Sequence, residues 1–261
     1  MDLENHAVVP VPDGAAHTFR TEPVPRRVRA TVGWATVVDT DDAVYMFETG
    51  YLPVYYVPRS DVREDLLRPS DTTTHSDVKG DARYWDVVVG DRTVADAAWS
   101  YPDNPELKDY VAFYWNRLDA WFEEDDEVFV HPRDPYHRVD VLRSSRHVVV
   151  SVGGQVLADS RRPSILVETY LPKRYYLPRA DVRLDLLEPS ATTSRCPYKG
   201  VASYWSYTGD GSGPGVADVA WSYRAPIPEL PKVEALVCFF DERVDVTVDG
   251  VRQDRPATQW S

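Results

Sequence analysis

The chain is poor in cysteine: it has only Cys196 and Cys238, both in its second half. Two isolated thiols cannot form a four-thiolate zinc site, and a pair of this kind is typical of a reduced protein. We therefore predict that neither a metal nor another cofactor is required. Cys238 lies in an apolar run and is expected in the core.

Long apolar runs are also missing. No stretch approaches the ~20 consecutive apolar residues that a membrane-spanning helix requires. The opening residues, MDLENHAVVPVPDGAAH, contain neither the basic nor the apolar segment of a secretory signal. These absences predict a cytoplasmic protein that does not associate with membranes.

Positive charge is scarce, and lysine especially so. The chain has 29 Lys and Arg against 42 Asp and Glu, a formal net charge of −13, and only five of the cations are lysines. A surface of this charge repels phosphate backbones, so we expect no nucleic-acid partner. The scarcity draws attention to Lys79 and Lys199, because these two lysines occupy matching positions in a repeat.

The sequence does contain a long internal repeat. RSDVREDLLRPSDTTTHSDVKGDARYW (59–85) matches RADVRLDLLEPSATTSRCPYKGVASYW (179–205), with 16 of 27 positions identical. AVYMFET (43–49) and AAWSY (97–101) recur as SILVET (164–169) and VAWSY (219–223). Because 261 residues suffice for two domains of ordinary size, we predict two tandem domains in a pseudo-two-fold arrangement within a monomer.

Composition sets the predicted domain boundaries. Prolines crowd the first residues, and a charged, proline-containing segment separates the repeats. We expect an extended N-terminal arm (1–27), a first domain (28–124), a connector (125–146), a second domain (147–250) and a C-terminal tail (251–261).

Strand patterns dominate both repeats, which predicts a mainly β fold with at most short helices. One segment is ambiguous: ELKDYVAFYWNRLDAWF (106–122) has helical spacing, whereas its counterpart ALVCFFDERVDVTV (235–248) alternates as a strand does. Since copies of one unit share a backbone, we predict two strands with a turn near Asn116 and Glu242. A helix in the first copy, and a short helix near Pro105 and Pro228, remain open. GDGSGPG (209–215) predicts a hairpin tip.

The motifs Y-Y-x-P-R-x-D-V-R-x-D-L-L-x-P-S, C-P-Y-K-G-x-A-S-Y-W and A-W-S-Y resemble the bacterial family called domain of unknown function 427. The resemblance covers both repeats and implies two β-tent-like domains. That fold is similar to methionine sulfoxide reductase B and the drug-binding domain of cereblon, where aromatic-lined pockets lie between two sheets. The family's common His-Cys-Pro is split here, because His75 precedes Ser76 and Cys196 follows Arg195. The family's occasional nucleotidyltransferase label finds no supporting residues in this chain.

The candidate catalytic residues are Lys79, Lys199, Glu48 and Glu168. The pKa of a lysine falls readily on desolvation, which permits base or Schiff-base roles; the alternative is a lysine that caps carbonyls beside a turn glycine. Each glutamate ends an apolar strand, and desolvation would raise the pKa of its carboxyl and suit it to acid–base work. A structural ion pair with an arginine is the alternative for the glutamates.

Aromatic residues recur in both copies and favour either a core or a pocket wall that stacks flat ligands. The wall candidates are Tyr55, Tyr56, Trp85, Trp99 and Tyr101 in the first copy and Tyr175, Tyr176, Trp205, Trp221 and Tyr223 in the second. Further ligand-binding candidates are Arg59, Arg179, His75 and Cys196. The alternating charges at 59–65 and 179–185 favour a structural lattice, with anion binding by an arginine as the alternative. His131, His137, Asp134 and Asp140 lack a regular spacing, so we do not predict a metal site there.

Two functions follow from these patterns. The first is a small-molecule-binding protein, or a metabolic enzyme of unknown reaction, whose ligand is flat and anionic or amide-bearing. It places lysine and glutamate in a hollow between the two β-layers of each domain. The second is a non-catalytic structural or interaction module in which the repeated charges hold the fold together.

Overall fold

The computed structural model of this chain describes residues 11–209, 215–258 and 260–261. These residues form two compact units, 1–134 and 135–261, that consist of strands and short 3₁₀ turns, so the predicted mainly β fold with two tandem domains is confirmed. The start of the predicted arm and most of the predicted hairpin tip at 209–215 lie outside the described residues. No helix among the described residues is long and apolar enough to cross a membrane.

The described residues of each unit form eleven strands. The strands of the first unit are β1 (Phe19–Pro23), β2 (Val28–Val32), β3 (Ala35–Thr40), β4 (Val44–Glu48), β5 (Val54–Pro58), β6 (Leu67–Ser76), β7 (Gly80–Val89), β8 (Arg92–Ser100), β9 (Tyr110–Phe113), β10 (Ala120–Glu123) and β11 (Asp126–Val128). The strands of the second unit are β12 (Val139–Arg143), β13 (Val148–Val152), β14 (Gln155–Ser160), β15 (Ser164–Glu168), β16 (Arg174–Leu177), β17 (Leu187–Cys196), β18 (Gly200–Tyr207), β19 (Val216–Pro226), β20 (Val237–Phe239), β21 (Asp245–Val248) and β22 (Val251–Arg252). The 3₁₀ turns are Arg59–Asp61, Glu64–Leu66, Trp115–Arg117, Arg179–Asp181, Leu184–Leu186 and Pro231–Val233.

The strands of each unit form a seven-stranded and a four-stranded sheet. In the first unit the strand orders are β1-β4-β5-β9-β8-β7-β6 and β11-β10-β2-β3. In the second they are β12-β15-β16-β20-β19-β18-β17 and β14-β13-β21-β22. The large sheets therefore follow the same topology.

The edge strands β1 and β12 arise from segments that the sequence assigned to the arm and the connector. β1 pairs with β4 so that Phe19 lies opposite Glu48, and β12 pairs with β15 so that Val139 lies opposite Glu168. Each of these strands has a neighbour on one side only, and β1 has three exposed residues and β12 two, so their composition looks like that of a linker. Each large sheet thus begins before the predicted domain start at residue 28 or 147.

The ambiguous segment forms strands in both copies. In the first unit β9 and β10 flank the turn at Trp115–Arg117, and in the second β20 and β21 flank the equivalent turn. The two-strand prediction is confirmed and the long-helix alternative is wrong. Turns occupy the region around Pro105, and a single 3₁₀ turn, Pro231–Val233, follows Pro228.

Strand alternation gives each large sheet two apolar faces. In β4, Tyr45 packs in a core shared with the four-stranded sheet, whereas Met46 packs on the opposite face. We call the first layer the inter-sheet core and the second the outer cluster. The outer cluster consists of Met46, Tyr56, Ala82, Tyr84, Trp99, Tyr101, Leu107 and Ala112 in the first unit. Its counterpart consists of Val141, Leu166, Tyr176, Ala202, Trp221, Tyr223, Leu230, Val233, Cys238 and Phe240.

Candidate functional site

A buried ion pair joins two distant parts of each large sheet. In the first unit Lys79 Nζ donates to Glu48 Oε2, and both side chains are 7% exposed. In the second, Lys199 Nζ donates to Glu168 Oε1. Each lysine ends the turn of a β-hairpin, just before a glycine in the left-handed region (φ 88° at Gly80). Such a φ is unfavourable for residues with a Cβ, so the glycine shapes the turn that carries the lysine.

The ion pair requires a strongly curled sheet. Glu48 ends β4, and Lys79 immediately precedes β7, with β5, β9 and β8 between them in the sheet. In a flat sheet with a strand spacing of about 4.8 Å, β4 and β7 would lie about 19 Å apart. The contact therefore forms because the sheet curls around the outer cluster, whose burial brings the two ends together.

A histidine completes the pair in both units. His17 Nε2 lies 3.0 Å from Glu48 Oε1, and His137 Nε2 lies 3.1 Å from Glu168 Oε1. Each histidine stands two residues before an edge strand, and a hydrogen bond from the backbone N–H of the next residue to a threonine hydroxyl anchors it, as at Thr18 and Thr49 (3.1 Å). We call His17, Glu48 and Lys79, and separately His137, Glu168 and Lys199, the His–Glu–Lys clusters.

The histidines were missed as partners of the glutamates. His17 fell in the predicted arm, and His137 was considered only as a metal ligand in the connector. The spacing holds the signal that could have found them: His17 and His137 are 120 residues apart, as are Glu48 and Glu168, and Lys79 and Lys199. The repeat register therefore extends upstream of the motifs that reveal it.

The carboxylate of the second cluster is stabilised in its ionised form. Burial alone disfavours the charge on Glu168, but the hydrogen bond from His137 and the positive charge of Lys199 outweigh burial, and the pKa of Glu168 is lowered. The predicted upward shift is wrong for Glu168, because it considered desolvation without the two donors.

An ionised carboxylate also fixes the imidazole tautomer. A carboxylate can only accept hydrogen bonds, so the Nε2 of each histidine must donate. In a neutral imidazole held in this way, the other ring nitrogen, Nδ1, carries the lone pair. In the second cluster Nδ1 of His137 is buried and has no hydrogen-bond partner among the described residues.

Aromatic residues of the outer cluster surround the ion pair. Lys79 Nζ lies 5.3 Å from the ring centroid of Tyr101. Burial, together with the nearby charge of Glu48, raises the pKa of Tyr101, so its phenol stays protonated. Beside it Trp99 Nε1 donates to Tyr56 Oη at 3.2 Å, and the same bond joins Trp221 and Tyr176 in the second unit at 3.1 Å.

The structure divides the predicted wall residues between two faces. Tyr56, Trp99 and Tyr101, with Tyr176, Trp221 and Tyr223, lie in the outer clusters beside the ion pairs. Tyr55 and Trp85, with Tyr175 and Trp205, pack in the inter-sheet cores instead. The hollow predicted between the β-layers does not hold the lysine and glutamate. Alternation correctly placed Glu48 on the face of Met46, but that face points away from the four-stranded sheet.

Arg59, Arg179 and His75 make other contacts, whereas Cys196 adjoins the turn of Lys199, whose backbone N–H donates to the Cys196 carbonyl at 3.4 Å. The Arg59 guanidinium lies 4.5 Å from the ring centroid of Trp85 and pairs with Glu64, and Arg179 lies 5.6 Å from the ring centroid of Trp205. His75 Nδ1 is 2.6 Å from an Asp81 oxygen at an exposed position. Cys196 is a half-buried free thiol, and Cys238 is buried in the core as expected.

An open groove runs along the β6–β7 hairpin. Its volume is about 800 Å³, and His75, Tyr84 and Trp85 are among its lining residues, whereas Lys79 and Glu48 are not. The groove is therefore distinct from the His–Glu–Lys cluster. Among the described residues, no group of three or more His, Cys, Asp or Glu side chains is arranged to hold a metal ion.

Both repeats match a known protein family. The model of the family described as Domain of unknown function (DUF427) matches residues 20–124 and 140–250. No curated protein matches the chain. Both matched segments begin three residues after the histidine of their cluster, so His17 and His137 lie just outside them.

Proposed function

The chain belongs to the DUF427 family as a tandem protein, and we propose that its His–Glu–Lys clusters are small-molecule sites in which the histidine exchanges a proton with the ligand. In this proposal the glutamate orients the imidazole through Nε2, and Nδ1 accepts a proton or hydrogen bond from the ligand. The pairing follows the general logic of a carboxylate that holds a histidine base in one tautomer.

One observation carries the proposal: the clusters recur at matching positions, whereas the other ion pairs of buried glutamates in the described part of the chain do not. In the first domain Arg26 donates to Glu123 at 2.5 Å. The arginine that matches Arg26 in the second domain is Arg146, which forms an exposed pair with Asp249. The ion pairs of Glu123 and Glu242 thus each occur in one copy, whereas the His–Glu–Lys cluster occurs in both.

The second domain has its own buried pair, Arg174 with Glu242, at 2.6 and 2.8 Å. The repeat register aligns these residues with Val54 and Asn116, which cannot form an ion pair. A purely structural charge pair would be free to change in the same way. That the three cluster residues are retained in both copies favours a shared chemical role.

The lysines act as positioning residues in this proposal. Lys79 and Lys199 donate to the glutamates, and their side chains are 7% and 10% exposed. An ammonium held in this way balances the charge of the carboxylate that orients the imidazole. A free amine is not presented to a ligand, which argues against the Schiff-base role considered from the sequence.

A thermal-shift screen of small metabolites tests the proposal with a matched pair of variants. His17→Gln with His137→Gln removes the imidazoles of the clusters, whereas His75→Gln with His147→Gln removes two histidines that pair with exposed Asp81 and Asp159. We expect a subset of compounds to raise the melting temperature of the wild-type protein and of the control, but not of the cluster variant.

Two results would overturn the proposal. One is a screen in which no compound raises the melting temperature of the wild-type protein. The other is a set of stabilising compounds that act equally on the cluster variant and the control. Either result leaves the clusters as structural charge networks, which is the non-catalytic alternative raised by the sequence.

A further inference from the structure

The second cluster carries an aromatic ring that the first one lacks. The rings of His137 and Tyr198 are stacked, with centroids 4.0 Å apart and planes inclined by 12°. Tyr198 directly precedes Lys199 in the hairpin turn, so the same short turn supplies the ion pair and the stacking ring. The equivalent residue of the first repeat is Val78, which has no ring.

The exposure of the two imidazoles differs accordingly. The side chain of His137 is 8% exposed, whereas that of His17 is 46% exposed. Both nevertheless keep the hydrogen bond from Nε2 to their glutamate. The first cluster therefore presents an oriented imidazole to solvent, and the second presents one that is covered by a planar ring.

We infer that the first cluster takes a ligand with a planar aromatic ring, stacked on His17 in the way that Tyr198 stacks on His137, and that Tyr198 occupies the second site in place of a ligand. This inference rests on the proposed function, narrows it to the first cluster in the wild-type protein and names the ligand class. Parallel rings about 4 Å apart gain dispersion contact. A ligand ring stacked on the face of His17 would not use the ring edge that carries Nδ1, which could then contact a polar substituent of the same ligand.

The charges of the cluster restrict the class of ligand further. Lys79 and Glu48 form a balanced buried pair, and His17 donates to the same carboxylate. A ring of either charge would find no unbalanced opposite charge in this pair. The ligand ring is therefore neutral.

Reciprocal substitutions at positions 78 and 198 test the inference. The probe is p-cresol, which reproduces the side chain of tyrosine. Imidazole ¹H–¹⁵N signals of His17 and His137, assigned from His→Gln variants, report each site separately. In the wild-type protein we expect p-cresol to shift the His17 signals in a saturable manner and to leave those of His137 unchanged. Tyr198→Val should make His137 responsive, and Val78→Tyr should abolish the response of His17.

Cyclohexanol, a non-planar alcohol of similar size, is the control ligand, and the backbone amide spectrum of each variant checks that it is folded. The inference is overturned if His17 does not respond to p-cresol, if cyclohexanol shifts it equally, or if His137 of folded Tyr198→Val stays unresponsive. Compounds that bind only when the cluster histidines are present, but carry no ring, would overturn this inference and leave the proposed function intact. A screen with no histidine-dependent compound would remove both.

Discussion

The two domains agree in the interior of their His–Glu–Lys clusters and differ at the outer surface. Both bury the lysine–glutamate pair and hold the imidazole by the same hydrogen bond. They differ in what lies on the imidazole face, which is open at His17 and covered by Tyr198 at His137. The three residues of the cluster are therefore the same in both copies, whereas the residue that contacts the histidine from outside differs.

A second difference concerns the four-stranded side of each domain. In the first, Glu123 accepts hydrogen bonds from Arg26 and Tyr55, both at 2.5 Å. In the second domain, Arg174 pairs with Glu242 and lies near Asp241 instead. These buried groups therefore differ between the domains, whereas the His–Glu–Lys cluster is shared.

The largest expected effect comes from removing the lysines. Lys79→Met or Lys199→Met leaves a buried carboxylate without its main partner, and breaking a buried pair in this way costs about 3–5 kcal/mol. We expect this loss in the domain that carries the substitution. Urea titration followed by hydrogen exchange and mass spectrometry measures the free energy of unfolding of each domain separately.

The exposed Lys108 supplies the matched control, since Lys108→Met removes a lysine of the same domain without exposing a buried charge. Glu48→Gln combined with Lys79→Met should recover part of the loss, because it removes the unpaired charge. Equal stability of the Lys79→Met and Lys108→Met proteins would contradict the role assigned to the ion pair.

The next largest effect depends on pH and is confined to the second domain. Burial raises the pKa of Asp241 to about 7 from an ordinary value of 3.8. Because the folded-state pKa lies above the unfolded value, the stability linked to this group is fully present below about pH 3.8 and is lost as pH rises from there through about 7. From this shift the loss reaches up to about 4 kcal/mol.

Asp241→Asn should therefore stabilise the second domain most at pH 8 and progressively less as the pH falls toward 4, as measured by domain-resolved hydrogen exchange. The corresponding residue of the first domain is Trp115, so that domain serves as an internal reference. If the pH dependence of the second domain persists in Asp241→Asn, another group is responsible.

Much of this architecture could be predicted from the sequence, because repetition and strand alternation are local signals. The matching segments predicted two domains, and the β-branched copy correctly decided the ambiguous segment at 106–122. Alternation also placed Glu48 with Met46. It could not say which face of the sheet meets the other sheet, because both faces of these strands are apolar and both are covered.

The histidines illustrate a different limit. His17 contacts Glu48, which lies 31 residues later in the chain, because the edge strand β1 pairs with β4. Nothing in the sequence around His17 predicts a strand. The pKa of Glu168 likewise depends on two partners from separate segments, His137 and Lys199. Long-range partners of this kind follow from how the sheet closes, which local patterns do not contain.

A smaller effect is expected at acid pH, again in the second domain. The pKa of Glu168 is lowered from 4.5 because its hydrogen bond with His137 and the charge of Lys199 outweigh the opposing effect of burial. A lowered pKa contributes stability above the ordinary value, and this contribution is lost as pH falls through the folded-state pKa. In Glu168→Gln the acid limb of the stability profile should be flatter, measured by urea midpoints between pH 3 and pH 6. An unchanged acid limb would show that other carboxyls govern it.

The smallest effect is expected from the alternating charges at 59–65 and 179–185, which the sequence analysis interpreted as a structural lattice. Arg63 pairs with Asp65, and Arg183 with Asp185, through two hydrogen bonds each, and all four side chains are more than half exposed. Solvent screens such pairs, and exposed ion pairs contribute little to stability. We therefore expect the urea midpoints of Arg63→Ala and Arg183→Ala to match that of the wild-type protein, in contrast to the lysine variants. A large loss in either protein would reverse the ranking and move the essential charges of the fold from the buried clusters to the surface.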